Sequence, residues 1–219
     1  MIRIEGLAFR YRDGDFRLRL PALEIDQGAS AAVVGPSGSG KTTLLNLVAG
    51  IALPEAGRIE VAGAEVTAMG ERQRRDFRIA RIGMVFQEFE LLDYLTVFDN
   101  ILLPYRITDA LRLESEVRDR AASLAEGMDI GDKLRRKARR LSQGERQRVA
   151  VCRALVTQPR LLLADEPTGN LDPANKGRVL DLLLEQAGRS DATLLTVTHD
   201  HGLLARFERV LDTREWGAS

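Results

Sequence analysis

The segment Gly35-Pro36-Ser37-Gly38-Ser39-Gly40-Lys41-Thr42 decides the fold of this 219-residue chain. It fits the pattern Gly-x4-Gly-Lys-Ser/Thr, and it lies between a predicted buried strand (31–34) and an apolar helical segment (43–48). The glycines allow backbone N–H groups to converge on phosphate oxygens, and the start of the helix adds positive charge. Lys41 would reach the β- and γ-phosphates, and the Thr42 hydroxyl can bind Mg²⁺. The pattern and its context together favour a phosphate-binding loop over an ordinary glycine-rich turn.

The remaining sequence predicts an α/β fold around this loop. Apolar and polar residues alternate from Ile2 to Leu7 and over residues 16–25, which indicates two half-exposed, antiparallel strands. Further strands are predicted at 57–61, 82–86, 161–164 and 193–197, and the last two are mostly apolar, as in a buried parallel sheet.

Between about residues 96 and 157 the apolar spacing becomes helical, and a further helical stretch lies around 178–186. We therefore predict a P-loop NTPase core, with a mostly parallel sheet and a small antiparallel β subdomain, interrupted by an inserted α-helical subdomain. The whole chain, 1–219, forms one nucleotide-binding domain in this prediction. Its core covers about 1–95 and 158–219, and its helical subdomain covers about 96–157.

Composition limits the partners of the chain. The 32 basic and 32 acidic side chains cancel, so no overall field attracts nucleic acid or an anionic membrane. The longest apolar stretches are far shorter than the roughly 20 residues that span a bilayer, so another chain would supply any membrane spans. One cysteine, Cys152, and an N-terminus without leader features indicate a reducing cytoplasm.

Two acidic residues follow the predicted strand at 161–164. A phosphate-binding loop needs a carboxylate at the tip of a neighbouring strand to hold Mg²⁺, and Asp165 is in the right place. Glu166, one residue further, would polarise the attacking water. A strand that ends in two solvated acids is the alternative, and the loop upstream disfavours it.

The segment Leu141-Ser142-Gln143-Gly144-Glu145 resembles the signature sequence of ATP-binding cassette proteins, usually written LSGGQ. Nearly the whole chain is similar to that family in the order and spacing of its motifs. Gln87 matches the family's Q-loop, Gly169-Asn170-Leu171-Asp172 resembles its D-loop, and His199 corresponds to its switch histidine. Tyr11 is similar to the aromatic residue that stacks on adenine, for which Phe9 is a less favoured candidate.

The resemblance implies an ATPase that binds ATP and Mg²⁺, with two ATP molecules held between two copies of the chain. Catalytic roles are implied for Glu166, His199 and Gln87, and metal binding for Thr42, Gln87 and Asp165. The implied ATP-binding residues are Tyr11, Gly35, Pro36, Ser37, Gly38, Ser39, Gly40, Lys41, Thr42, Thr43, Ser142, Gly144 and Asp172. His199 also follows its strand as Glu166 follows its own, so both would lie at the carboxyl ends of one sheet.

The signature departs from the family at two positions. Gln143 replaces the first glycine and Glu145 replaces the final glutamine. Ser142-x-x-Glu145 is also a helix capping box, and both interpretations can hold together. A carboxylate near a triphosphate would be repelled unless it turns back to its own helix, which the capping box allows.

Other candidate residues have ordinary explanations. His201 is expected at the surface, Cys152 is expected in the core, and the basic run 133–140 lacks aromatic residues, so it is predicted to be a solvated face.

Segments 163–172 and 95–101 are similar to a subfamily of lipoprotein-releasing, macrolide-exporting, peptide-exporting and cell-division ATPases. This resemblance implies a separate membrane permease as partner, docked near Phe89, Leu91 and Leu92, and a place on the cytoplasmic face of the membrane. A plain core role for these three apolar residues is the alternative. Two functions stay open: a transport motor, and a regulatory ATPase of the cell-division type that switches a membrane protein without cargo.

Overall fold

A computed structural model describes residues 1–12, 15–169 and 173–218. The strands are β1 (Ile2–Arg10), β2 (Arg17–Ile25), β3 (Ser30–Val34), β4 (Ala56–Val61), β5 (Ala64–Glu65), β6 (Ile82–Val85), β7 (Leu161–Asp165), β8 (Thr193–Val197), β9 (Arg209–Asp212) and β10 (Gly217–Ala218). The helices are α1 (Lys41–Val48), α2 (Glu71–Arg81), α3 (Val97–Ile101), α4 (Ser115–Gly127), α5 (Gln143–Leu155) and α6 (Pro173–Arg189). Short 3-10 helices occupy Val66–Ala68, Leu103–Arg106, Gly131–Lys133, Ala138–Arg140, His201–Arg206 and Thr213–Glu215.

Two sheets build the α/β part of the protein. The first has the order β6-β7-β8-β3-β9, and all its pairings are parallel. The second has the order β10-β2-β1-β4-β5 and is antiparallel. The predicted fold class is confirmed, including the antiparallel pairing of the first two strands.

The parallel sheet is covered on both faces, which explains its apolar strands. Along β7, Leu161 and Leu163 pack into a core with α1 and the antiparallel sheet, whereas Leu162 and Ala164 pack into a core with α5 and α6. Side chains alternate across a strand, so a continuous apolar run supplies both cores.

The helices α3, α4 and α5 follow one another between β6 and β7 and share one core. The subdomain boundaries near residues 95 and 158 stay a prediction. Cys152 on α5 is buried, as predicted, and burial raises the pKa of its thiol. No helix in the described part of the chain combines the length and apolar character that crossing a membrane requires.

Helix α2 was not predicted from the sequence. None of its residues is fully buried, and five arginines and two acids account for most of it. Phe77 and Ile79 are its only large apolar residues, too few to stand out as the stripe by which an amphipathic helix is recognised. Beyond it, the prediction also missed β5, β9 and β10.

Candidate nucleotide-binding site

The loop between β3 and α1 has the backbone that phosphate binding needs. Gly35 and Gly40 have φ angles of 146° and 92°, a region that favours glycine. A Cβ atom on Gly35 would lie 1.9 Å from Thr213 Oγ1, and one on Gly40 would lie 2.8 Å from the Phe16 ring. Gly40 caps α1 without a side-chain hydrogen bond, so the first N–H groups of this helix remain available to an anion.

Lys41 folds back over this loop. Its Nζ donates to the carbonyls of Gly35 at 2.9 Å and Pro36 at 2.8 Å. The cation therefore lies against the loop that the pattern assigns to the phosphates. When a triphosphate binds, Lys41 Nζ would donate to phosphate oxygens instead of these carbonyls. The phosphate oxygens carry more negative charge, so these hydrogen bonds would be stronger.

A cleft of about 490 Å³ opens beside this loop. It brings together residues from the loop, from α1 and from the ends of three parallel strands. Its lining consists of Tyr11, Phe16, Gly35, Ser37, Gly38, Gly40, Lys41, Thr42, Thr43, Gln87, Glu166, Val197 and His199. Most residues predicted to bind ATP or act in catalysis thus share one cleft.

An aromatic cluster borders the cleft. The Tyr11 ring meets the edge of Phe9 with centroids 4.8 Å apart, and its centroid lies 5.9 Å from that of Phe16. The Tyr11 hydroxyl lies 3.0 Å from Thr43 Oγ1, which ties the ring to α1. Phe9 is buried whereas Tyr11 is 42% exposed, so Tyr11 offers a base more surface for stacking.

Asp165 lies at the end of β7 beside the loop. Burial raises the pKa of its carboxyl, and the negative charge of Glu166 acts in the same direction. A hydrogen bond from Thr42 and the charge of Lys41 act in the opposite direction. Burial and the Glu166 charge together destabilise the charged form of the carboxylate more than Thr42 and Lys41 stabilise it. A bound cation would stabilise this charged form.

Glu166 and His199, two of the residues predicted to act in catalysis, lie together at one edge of the cleft. His199 Nδ1 lies 2.8 Å from Glu166 Oε2, and the Glu166 side chain is only 12% exposed. Glu166 has a φ of 47°, and its N–H donates to the Val197 carbonyl at 3.0 Å. A non-glycine residue in this region costs on the order of 1 kcal/mol and occurs often at active sites.

Gln87 is exposed in the cleft. Hydrogen bonds from Arg153 on α5 fix the segment that follows it. Phe89 and Glu90 have φ angles of 64° and 49°. The buried Arg153 guanidinium donates to both of their carbonyls, at 2.6 Å for Phe89. Burial lowers the pKa of Arg153 to about 10, which still leaves it charged at neutral pH. This arginine therefore fixes the shape of the segment that joins the cleft to the helical region.

The predicted docking role of Phe89 and Leu91 is wrong. Both side chains are buried in the core with α5, at 7% and 8% exposure, and cannot meet a partner. The plain core role, the alternative drawn from the sequence, applies to them. Leu92 is half-buried.

The signature segment forms the start of α5. Ser142 caps this helix, and its Oγ accepts from the Glu145 N–H at 3.3 Å. Glu145 Oε2 accepts from the Ser142 N–H at 2.8 Å, so the predicted capping box is present. Neither Ser142 nor Gly144 lines the cleft described above.

The other predicted residues lie at the border of the site. The Ser39 hydroxyl bonds to Thr213 at 2.8 Å, and neither Ser39 nor Pro36 lines the cleft. Asp172 lies outside the described residues. His201 is exposed, as predicted, and so are the arginines and Lys137 of the basic run.

Sequence reasoning missed two residues that shape the site. Phe16 lines the cleft against Gly40, and Thr213 packs against Gly35. Phe16 had a weak signal, since it is an aromatic residue next to a turn that also carries Tyr11. Thr213 had none, because it lies far along the chain from the loop that it contacts.

The residues present fit ATP with Mg²⁺. Mg²⁺ is usually held by one or two carboxylates together with substrate phosphates and water, and it prefers oxygen donors. Thr42 and Asp165 supply such donors side by side. The described residues contain no group of three or more acidic, histidine or cysteine side chains that could hold a metal ion.

This loop, its carboxylates and the parallel sheet define a P-loop nucleoside triphosphatase. The chain belongs to the ABC transporter family, whose model matches residues 18–169. It is 44% identical over 214 residues to the lipoprotein-releasing system ATP-binding protein LolD of Chromohalobacter salexigens, with 96% of this chain and 90% of the relative covered. LolD of Xanthomonas oryzae pv. oryzae is 39% identical, with 98% and 88% covered.

Solved structures agree with this assignment. The dimeric post-hydrolysis state of the ATP-binding cassette MJ0796, bound to ADP and Pi, matches with a TM-score of 0.87 and 29% identity, covering 97% of this chain and 94% of that one. CbiO1 from Clostridium perfringens, part of the transporter complex cbiONQ, matches with a TM-score of 0.79 and 29% identity, covering 91% and 78%. The protein is therefore an ATP-binding, ATP-hydrolysing subunit of an ABC transporter.

Proposed function

We propose that two copies of this chain close around two ATP molecules and thereby drive a separate permease of the lipoprotein-releasing kind. The main support for the dimer is that the signature turn at Ser142 begins a helix, whose first N–H groups can bind an anion, yet this turn does not line the chain's own cleft. A second copy would bring that turn to the γ-phosphate. The MJ0796 cassette, described as a dimer with ADP and Pi, supports this arrangement.

Each side chain of the cleft has a defined task in this proposal. The N–H groups of residues 35–42 and Lys41 bind the phosphates, and Tyr11 stacks on adenine. Thr42, Asp165 and Gln87 would hold Mg²⁺, which supplies charge neutralisation at the phosphates. These groups orient the γ-phosphate for in-line attack.

The hydrolytic step depends on Glu166. Water oxygen bonds to the γ-phosphorus, the bond to the ADP oxygen breaks, and the water proton passes to the Glu166 carboxylate. His199, whose Nδ1 lies 2.8 Å from that carboxylate in the same cleft, would position Glu166 and contact the γ-phosphate. Ser142, Gly144 and Asp172 of the second copy would complete the site.

Size-exclusion chromatography tests the shared site. Glu166→Gln should give a stable species of twice the 24.3 kDa chain mass with ATP and Mg²⁺, because bound ATP is not consumed. The same variant with ADP should run as a monomer, since the γ-phosphate that joins the copies is missing. A monomer that demonstrably carries ATP would refute the shared site.

This chain has a groove of about 300 Å³ between α2, β6 and the residues that follow α3. We propose this groove as the docking site for the permease. Its walls are mostly apolar, with Ile79, Met84, Phe86, Leu103 and Ile107 among them. Ile107 is 60% exposed beside the other apolar residues of the groove, so it adds to a continuous apolar surface.

Charge at this groove indicates the chemistry of the partner segment. Arg78 lies at the groove, half-buried, and within the part of the chain that the structure describes it donates to the carbonyls of Ala49 and Gly50 at 3.3 and 3.5 Å. Burial, followed by the charges of Arg74 and Arg75, lowers its pKa. The groove is also lined by the exposed Glu90 and by Arg153, whose guanidinium already bonds to two backbone carbonyls. The groove would therefore suit an apolar segment of the permease whose carboxylate lies at Arg78 and away from Glu90.

Ile107→Glu tests the groove. We expect at least an about tenfold loss of the permease that co-purifies from detergent-solubilised membranes, because a charge would enter an apolar contact. ATP hydrolysis by the purified chain should persist, since Ile107 is not in the nucleotide cleft. Val210→Glu, at a 45% exposed position on β9, is the matched control. Equal recovery with both variants would exclude this groove.

In this proposal the chain lies on the cytoplasmic face of the membrane and contacts the membrane only through the permease. Nucleic acid is not among its proposed partners, because its 32 basic and 32 acidic side chains balance.

A further inference from the structure

The carboxylate of Glu145 turns back toward the start of its own helix and toward Lys133. Oε2 accepts from the Ser142 N–H at 2.8 Å, and Oε1 lies 3.6 Å from Lys133 Nζ. The Glu145 and Lys133 side chains are only 16% and 19% exposed. Both side chains are therefore partly covered by the protein, and salt screens their attraction less than that between fully exposed side chains.

Lys133 differs from the rest of the basic run. Its arginines and Lys137 are exposed, whereas Lys133 ends the short helix Gly131–Lys133 and points toward the start of α5. Lys133 also bonds to Asp132 at 2.9 Å, but the Asp132 side chain is 71% exposed.

Both members of the pair are charged at neutral pH. A hydrogen bond to Asp132, with the nearby charge of Glu145, raises the pKa of Lys133. Burial alone would raise the pKa of Glu145, but hydrogen bonds from Ser142 and the charge of Lys133 lower it below its usual value.

The capping geometry leaves the anion-binding groups of the turn available. Ser142 Oγ accepts the Glu145 N–H and keeps its own proton to donate. The N–H groups of Gln143 and Gly144 belong to the first turn of α5, where helices lack internal acceptors. A carboxylate one turn into this helix opposes any anion that these groups would bind.

We propose that Lys133 is a positioning residue of the shared nucleotide site: it neutralises and holds Glu145, so that Ser142, Gln143 and Gly144 can bind the γ-phosphate of a second copy. This inference rests on the proposed ATP-dependent dimer. It assigns a task to a lysine outside the signature, and it explains how an acidic residue is tolerated within the signature.

ATP titrations of dimer formation test the proposal, with Glu166→Gln as the parent chain to prevent turnover. Adding Lys133→Met should raise the ATP concentration for half-maximal dimer formation about tenfold, because Glu145 then stands uncompensated near the phosphate. Lys133→Arg should stay close to the parent. Lys137→Met removes an exposed lysine of the same run and should change the midpoint by less than about twofold.

The decisive comparison repeats Lys133→Met in a chain that also carries Glu145→Gln. With no carboxylate to neutralise, the loss should shrink to less than about twofold, as a double-mutant cycle requires for coupled residues. Binding of a fluorescent ATP analogue to the dilute monomer should be equal in all variants, since the chain's own cleft is unchanged. This readout separates the proposed effect from general damage to the fold.

Three other outcomes would contradict the proposal. A tenfold loss that persists in the Glu145→Gln chain would mean that Lys133 attracts the nucleotide directly, and would overturn the proposal. So would a Lys133→Met midpoint equal to that of the parent. A parent that binds ATP yet stays monomeric would overturn the shared site itself, and this proposal with it.

Discussion

Glu166→Gln should lower ATP turnover by about 10²- to 10⁴-fold, the usual contribution of a positioned general base, while ATP still binds. The amide has nearly the same shape as the carboxylate but cannot accept the proton of the attacking water. The change leaves Lys41 and the loop intact, so affinity for ATP should persist. Phosphate release under saturating ATP, measured beside equilibrium nucleotide binding, gives both quantities.

Glu208→Gln is the matched control for this prediction. Glu208 is exposed outside the cleft, so the same chemical change there should leave turnover within about twofold of the parent. Turnover of Glu166→Gln near the parental rate would remove Glu166 from its assigned role. Loss of ATP binding would instead mean that Glu166 supports the structure of the cleft.

The edge of the cleft that holds Glu166 and His199 was predictable because parallel strands place their carboxyl ends together. β3, β7 and β8 are neighbours in one sheet, and the residues that follow them include Gly35, Glu166 and His199. A short, mostly apolar segment locates each strand in the sequence, and its few other residues are serine, threonine or aspartate. The positions of these strands in the sequence therefore predicted that the residues following them would lie close together.

The parts of the site that escaped prediction depend on contacts between distant segments. Thr213 packs against Gly35, and Phe16 packs against Gly40. The sequence around Thr213 and Phe16 contains no pattern that would predict these contacts. Phe89 and Leu91 were misassigned for a related reason. An apolar side chain has the same sequence signal whether it faces a partner or its own core, and here Arg153 holds this segment against the core.

The role of Lys133 illustrates the same limit. In the sequence it is one of several basic residues between 133 and 140, a pattern typical of a solvated face. Only the turn at Gly131–Lys133 and the start of α5 bring it to Glu145. The departure of the signature from its family pattern was visible in the sequence, but the cation that accompanies it was not.

Lys41→Ala should weaken ATP binding by at least about 100-fold. A hydrogen bond to a charged group contributes about 1.5–3 kcal/mol, and Lys41 would contact both the β- and γ-phosphates, so about 3 kcal/mol or more is lost. Adenosine affinity should change little, because in the proposed site that part of the nucleotide would contact Tyr11 rather than the lysine. Calorimetric titration with ATP, ADP and adenosine measures the three affinities on one scale.

Two comparisons separate lost phosphate contact from a collapsed loop. Lys41 Nζ also bonds to the Gly35 and Pro36 carbonyls, so its removal frees part of the loop. Loop collapse would also change the thermal unfolding midpoint, whereas a lost phosphate contact would leave the midpoint without nucleotide unchanged. Lys137→Ala, an exposed lysine outside the cleft, should bind ATP like the parent. Unaltered ATP affinity in Lys41→Ala would refute the assignment of the phosphate-binding loop, because no other cation lines the described cleft.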